Sequence, residues 1–225
     1  MKHIKLISTA FLVLMASCGP TSKLTKTQAY GGIYNEKPLT VLIMPPINRS
    51  TNVEAKEFFH TTLNVPIINA GYYVVPPFLS MEILKRESAY DSELFIDKPS
   101  LTIFKEIFGA DMTLFTIINK WDKSSIGSKV TVDIEYIVKS TTSNETIYSR
   151  KGTVIYNTSV SGSGNIFLDI AGSLINTAAA KYVDVARACN EYTFSDFPAG
   201  LYSPKYNLDG AEMSGLKSFK VRLPK

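Results

Sequence analysis

A mixed α/β domain is predicted by three features of this 225-residue chain. Leu39 to Met44 is a continuous apolar run bounded by Pro38 and by Pro45-Pro46, which suits a short strand buried on both faces. Val130, Val132, Ile134, Tyr136 and Val138 alternate with Thr131, Asp133 and Glu135, the period of a strand with one solvated face. Phe167, Ile170, Leu174, Ala178, Tyr182, Val185 and Cys189 recur at three- and four-residue steps, so a long helix turns one apolar stripe toward a sheet. Together these give a two-layer or three-layer α/β arrangement around a mixed sheet of about five strands. Its first half is a βαβ unit, and its second half is an antiparallel meander followed by the long C-terminal helix.

Ahead of the domain, Lys2, His3 and Lys5 precede the apolar run Leu6 to Met15, and Ala16-Ser17 places small residues before Cys18. This is the layout of an export signal, and the run is too short to span a bilayer well. Leu14-Met15-Ala16-Ser17-Cys18 resembles the lipobox of bacterial lipoproteins, where the cysteine thiol is acylated before the signal is cut away. Residues 1–17 are thus expected to be a lipoprotein signal peptide and Cys18 the lipid attachment site. One acyl chain anchors only marginally at about 0.8 kcal/mol per buried methylene, so stable attachment calls for several chains on Cys18. Removing residues 1–17 takes away two lysines and no acid, lowering the formal charge from +4 to +2. The remaining cations are scattered among Glu and Asp, which argues against nucleic acid as a partner.

Residues 18–37 lack hydrophobic periodicity and are rich in Gly, Ser, Thr and Lys, so they are expected to be a flexible tether, with an r.m.s. reach of about 25 Å. The α/β domain then covers 38–189. Thr51-Asn52-Val53-Glu54 has capping-box spacing, and Ala55, Phe58, Phe59 and Leu63 follow on one helical face. Pro66 is expected to interrupt or restart that helix, Gly71 to end it, and Tyr72 to Val75 to form the next strand. Helical spacing recurs from Phe78 to Ser88 and from Ser100 to Phe108, with a polar loop at 89–99 between them. Met112 to Trp121 and Thr146 to Tyr156 read as strands flanking the alternating one, and the long helix is expected from Asn165 to Ala188. Residues 190–225 carry Phe194, Phe197, Tyr202 and Tyr206 without sustained periodicity. They predict an irregular, aromatic-rich tail packed on the domain or on a partner.

The chemistry of catalysis is hard to assemble from what remains. After loss of the signal, His60 is the sole histidine, and its neighbours by helical spacing, Lys56, Glu57 and Asn64, make it a solvated side chain. No zinc ligand cluster, HExxH, GxSxG or P-loop is present, so no metal, no cofactor and no catalytic residue is predicted. Asp97, Asp111, Asp122, Asp133 and Glu135 are dispersed, and no spacing pairs two of them for acid/base work. With Cys18 acylated, Cys189 is left as a lone thiol on the apolar stripe, where a free cysteine packs as a small hydrophobe. Gly162-Ser163-Gly164-Asn165 before a helix is a weak anion-cradle pattern. The loop after the first strand is a better candidate for a partner or ligand, since Asn48, Arg49, Ser50 and Asn52 offer hydrogen-bonding groups at a strand's carboxyl end. A rigid turn plus helix cap is the competing reading of the same residues.

Taken together, the lipobox, LTVLIMPPINRS at 39–50, INAGYYVVPP at 68–77 and FPAGLYSPKY at 197–206 resemble the bacterial lipoproteins of the genome-derived neisserial antigen family. That resemblance implies an α/β domain similar to the TolB N-terminal domain and to curli-secretion lipoproteins, and it carries over no catalytic residue. The function expected is a lipid-anchored periplasmic interaction module, not an enzyme, assembling with envelope lipoproteins or as a homodimer. Membrane contact would run through acyl chains on Cys18. No aspartate follows Cys18, so the expected location is the outer membrane, facing the periplasm. The alternative is a periplasmic binding protein for a small anionic ligand or peptidoglycan.

Overall fold

The buried run expected near residue 39 forms strand β1 (Thr40–Ile43), and its side chains alternate between two separate cores. Val41 and Ile43 face one core, while Leu42 and Met44 face the other, so this strand is covered on both sides. The structure is a computed structural model, and it describes residues 24–124, 129–157 and 178–223. Cys18, Gly162-Ser163-Gly164-Asn165 and the start of the expected long helix lie outside them.

Two short helices open the described chain, α1 (Lys26–Ala29) and α2 (Gly31–Glu36). Over the described residues 24–37 they correct the flexible tether expected for 18–37. A capping box at Thr25 and Gln28 starts α1, and Lys26, Tyr30 and Ile33 are buried, so the folded domain reaches back to Leu24. After β1 come β2 (Ile47–Asn48), α3 (Ala55–Asn69), β3 (Tyr73–Val74), α4 (Pro77–Arg86), α5 (Glu93–Ile96) and α6 (Thr102–Phe108). The 89–99 stretch is more than a polar loop: α5 lies within it, Phe95 is buried, and the Ser92 hydroxyl donates to the Pro45 carbonyl at 2.5 Å.

The meander follows as β4 (Met112–Lys123), β5 (Lys129–Ser140) and β6 (Thr146–Asn157). Helix α7 (Ala178–Phe194) and strand β7 (Ser218–Leu223) complete the described chain. The sheet has the order β3-β1-β4-β5-β6-β7, with β2 also paired to β4. Pairing is parallel among β3, β1 and β4, antiparallel from β4 through β6, and parallel again between β6 and β7. The architecture is thus the mixed α/β sheet that the sequence predicts, extended by two strands. One, β2, is only two residues long, and the other sits in the expected irregular tail.

On one face of the sheet, α3 and α7 pack beside each other over the main core, where Phe59, Leu63, Ile67, Val185 and Cys189 meet the inward residues of β4 and β5. Trp121 is held there by Phe58, Phe59 and Tyr182, with ring centroids 5.8–6.1 Å apart. Burial of such rings dominates core energetics, and truncating Phe59 to alanine is expected to cost about 3–5 kcal/mol. Asn190 ties the layers together: it accepts from the Tyr136 hydroxyl and donates to Thr62 Oγ1 at 2.9 Å. On the opposite face, α4, α5 and α6 cover β1 and β4 through Leu84, Phe95, Leu101 and Phe104.

Two helix features depart from expectation. The Thr51–Glu54 capping box does not form, because Asn52 Oδ1 accepts from Glu54 N–H in a turn and α3 begins only at Ala55. Pro66 does not interrupt α3 either, which runs on to Asn69. Gly71 behaves as expected, taking φ +95° just after the helix ends.

Candidate partner surface at the C-terminal wrap

The predicted loop residues are brought together, but they mostly bind one another. Asn48 Nδ2 donates to the Asn52 carbonyl at 2.7 Å, and Asn48 Oδ1 accepts from the Ser50 amide and hydroxyl at 3.0 and 2.7 Å. Ser50 Oγ in turn accepts from Asn52 N–H. Arg49 projects outward and pairs with Glu93 of α5 at 2.5 Å. Both partners are half-exposed, so the pair contributes roughly 0–1 kcal/mol and leaves the guanidinium within reach of a partner. His60 is buried, a correction to the solvated reading, because α3 is covered on more than one side, with α4, α7 and strands β1 to β4 all packed against it. Burial, with the Lys56 charge adding to it, holds its imidazole below the usual histidine pKa.

The polar chemistry of the chain is concentrated elsewhere, where the last residues wrap back over the domain. Arg150 on β6 is buried; its Nη1 donates to Asp196 Oδ1 at 2.7 Å and to the Thr193 carbonyl, while Nε donates to the Leu216 carbonyl at 3.1 Å. Asp196 also accepts from the Tyr30 hydroxyl and from Gly215 N–H. One carboxylate therefore joins α1–α2, β6 and the tail. Desolvation alone would lower the Arg150 pKa, but Tyr148 and Asp196 outweigh it and raise it. Burial and the bond to Asp196 push the Tyr30 hydroxyl well up, so it serves as a donor throughout the physiological range.

A second carboxylate repeats the arrangement. Asp209, almost fully buried, accepts from Lys26 Nζ at 3.0 Å, from the Tyr34 hydroxyl at 2.9 Å and from Ala199 N–H at 2.9 Å. Glu212 accepts from Lys26 and from Lys205, each at 2.9 Å. Between this cluster and the C-terminal ends of α3 and α7 lies an open cleft of about 340 Å³, edged by Asn69, Glu191, Ser195, Ser203 and Lys205. Its two lysines are matched by Glu191, Asp209 and Glu212, so the cleft offers no surplus positive charge to an anion.

Along the neighbouring sheet edge the surface is apolar. Gly200 and Tyr202 donate backbone N–H bonds to Ala70 and Gly71, seating the tail against the turn that leads into β3. Ile68, Tyr73, Leu201 and Tyr202 are all at least half exposed there. Sequence reasoning missed Lys26, Arg150, Asp196 and Asp209 because their partners are far apart in the chain. The Thr25-x-x-Gln28 spacing was the one signal that marked α1.

Among the described residues, no group of three or more His, Cys, Asp and Glu side chains is placed to hold a metal ion, and no helix is long and apolar enough to cross a membrane. Residues 28–197 match the family described as "Putative lipoprotein GNA1162-like". The chain belongs to that family. A relative from Neisseria meningitidis serogroup B, "Putative lipoprotein NMB1124/NMB1162", is 22% identical over 158 residues, which is 69% of this chain and 72% of its own length. The crystal structure of lipoprotein GNA1162 from Neisseria meningitidis aligns with TM-score 0.50 and 21% identity, covering 64% of this chain and 99% of that one. The family match ends at Phe197, so the wrap from Pro198 onward lies beyond the matched stretch.

Proposed function

We propose that this chain is a lipid-anchored periplasmic interaction module, acylated at Cys18 in the outer membrane and facing the periplasm. It acts without catalysis, and it assembles with envelope lipoproteins. Membership of a lipoprotein family, joined to the chain's own Leu14-Met15-Ala16-Ser17-Cys18, is the observation that carries the reading. Two features of the surface support it. The buried carboxylates Asp196 and Asp209 are engaged in holding the wrap in place rather than facing a substrate. The exposed residues Ile68, Tyr73, Leu201 and Tyr202 border the edge strand β3, and clustered apolar surface beside a free strand edge is typical of a protein-binding site. Arg49, fixed by Glu93, adds a cation for the same kind of contact.

Labelling with palmitate, followed by fractionation of the envelope, tests the anchor. The native chain is expected to carry label and to fractionate with outer membrane, and Cys18→Ala is expected to lose both. Label that persists in Cys18→Ala would contradict the assignment.

A further inference from the structure

Leu24, the first described residue, is six positions past Cys18 and is already fixed to the domain. Its carbonyl accepts from Ser214 N–H at 2.8 Å and from Ser214 Oγ at 3.0 Å, Thr25 bridges Met213, and Lys26 N–H donates to the Glu212 carbonyl at 2.8 Å. This two-stranded ribbon carries exposed apolar side chains: Leu24 is 44%, Met213 58% and Leu216 52% accessible. Resting on the proposed acylation of Cys18, we infer that the ribbon and Leu216 form the face that lies against the bilayer surface, fixing the orientation of the domain on the membrane.

Chain geometry limits the alternatives. Six Cα steps span at most about 22 Å. A domain of about 200 residues has a radius of gyration near 16 Å and is roughly 40 Å across. With Cys18 held at the lipid, the side of the domain opposite Leu24 cannot be turned down onto the bilayer, because Leu24 would then stand farther off than the linker reaches. The lipid surface is therefore the occupant that is always within reach of this patch. The local charge does not oppose a headgroup layer. Lys26 and Lys205 are neutralised by Asp209 and Glu212, and exposed Lys217, directly after Leu216, adds a cation beside the apolar side chains. A lysine stem can lie along apolar surface while its ammonium group reaches the headgroups. Because backbone hydrogen bonds already order the ribbon, contact requires little further ordering.

The test uses the full acylated chain in vesicles of phosphatidylethanolamine and phosphatidylglycerol containing nitroxide-labelled lipid. Fluorophores are attached singly at Met213→Cys, at Lys217→Cys and at Glu106→Cys on α6, which packs on the opposite face of the sheet; the native thiol of Cys189 is buried. Labels at 213 and 217 are expected to be quenched at least about twofold more than the label at 106, as for side chains at the headgroup boundary. The second position keeps all three apolar residues, so a perturbation specific to Met213→Cys is recognised. Equal quenching at the three positions, in a chain whose N-terminal peptide mass shows acylation, overturns the orientation and leaves the anchor standing. A chain that lacks acyl groups and shows no preferential quenching overturns both.

Discussion

Arg150 Nη1 and Asp196 Oδ1 lie 2.7 Å apart, and both side chains are buried. This pair joins β6, the strand next to the β7 edge of the sheet, to the start of the C-terminal wrap. Breaking it on one side leaves an uncompensated charge, so Arg150→Met is expected to cost about 3–5 kcal/mol, measured by urea denaturation. Removing both charges in Arg150→Met/Asp196→Leu should recover much of that loss. A double variant as unstable as the sum of the singles would contradict the pairing.

The carboxylates at Asp209 and Glu212 share Lys26 but differ in exposure, with side chains 1% and 45% accessible. Asp209→Ala is expected to cost about 3–5 kcal/mol, because it strips a partner from a buried ammonium. Glu212→Ala should cost clearly less, because the Glu212 carboxylate is half-exposed and Asp209 still neutralises Lys26 after its loss. Denaturation of the two variants side by side checks this ranking.

His60 gives a pH dependence with a definite sign. Its folded pKa lies below its unfolded value of about 6.5, so the unfolded chain binds the proton more tightly. Stability conferred by the neutral imidazole is present above about pH 6.5 and is lost as pH falls toward the folded pKa. Urea midpoints at several pH values should decline across that window in the native chain, and the His60→Gln variant should show a shallower decline.

Gly71 combines a positive φ with a lack of space: a Cβ there would collide with the backbone nitrogen of Ser203. Gly71→Ala should therefore cost more than the roughly 1 kcal/mol of an ordinary left-handed glycine. It should also loosen the wrap, seen as faster hydrogen exchange at the Gly200 and Tyr202 amides that bond to Ala70 and Gly71.

The sequence announces the periodic elements and is nearly silent about the polar joints. The alternation in Val130 to Val138 and the apolar run at Leu39 arise from local patterning, so β5 and β1 were legible. Two capping boxes with the same spacing had opposite outcomes. Thr25-x-x-Gln28 closes, whereas Thr51-x-x-Glu54 yields to an Asn52 turn, a competition that spacing alone does not resolve. The wrap has no sustained local periodicity because its order comes from ties across long sequence separations, such as Lys26 to Asp209 and Tyr30 to Asp196. Strand β7 does carry a local signal, since Phe219, Val221 and Leu223 alternate with Ser218, Lys220 and Arg222, but only six residues hold it, at the end of a tail without sustained periodicity. Within the candidate loop, the residue types were right for hydrogen bonding, but Asn48, Ser50 and Asn52 satisfy one another.

Photocrosslinking in intact cells from a probe at Tyr202, the exposed aromatic beside the β3 edge, tests the interaction reading most directly. The account predicts a discrete adduct with an envelope lipoprotein, absent when the probe is moved to Glu106 on α6. Identical adduct patterns from the two positions, or none from Tyr202 in a chain correctly anchored at Cys18, would contradict it.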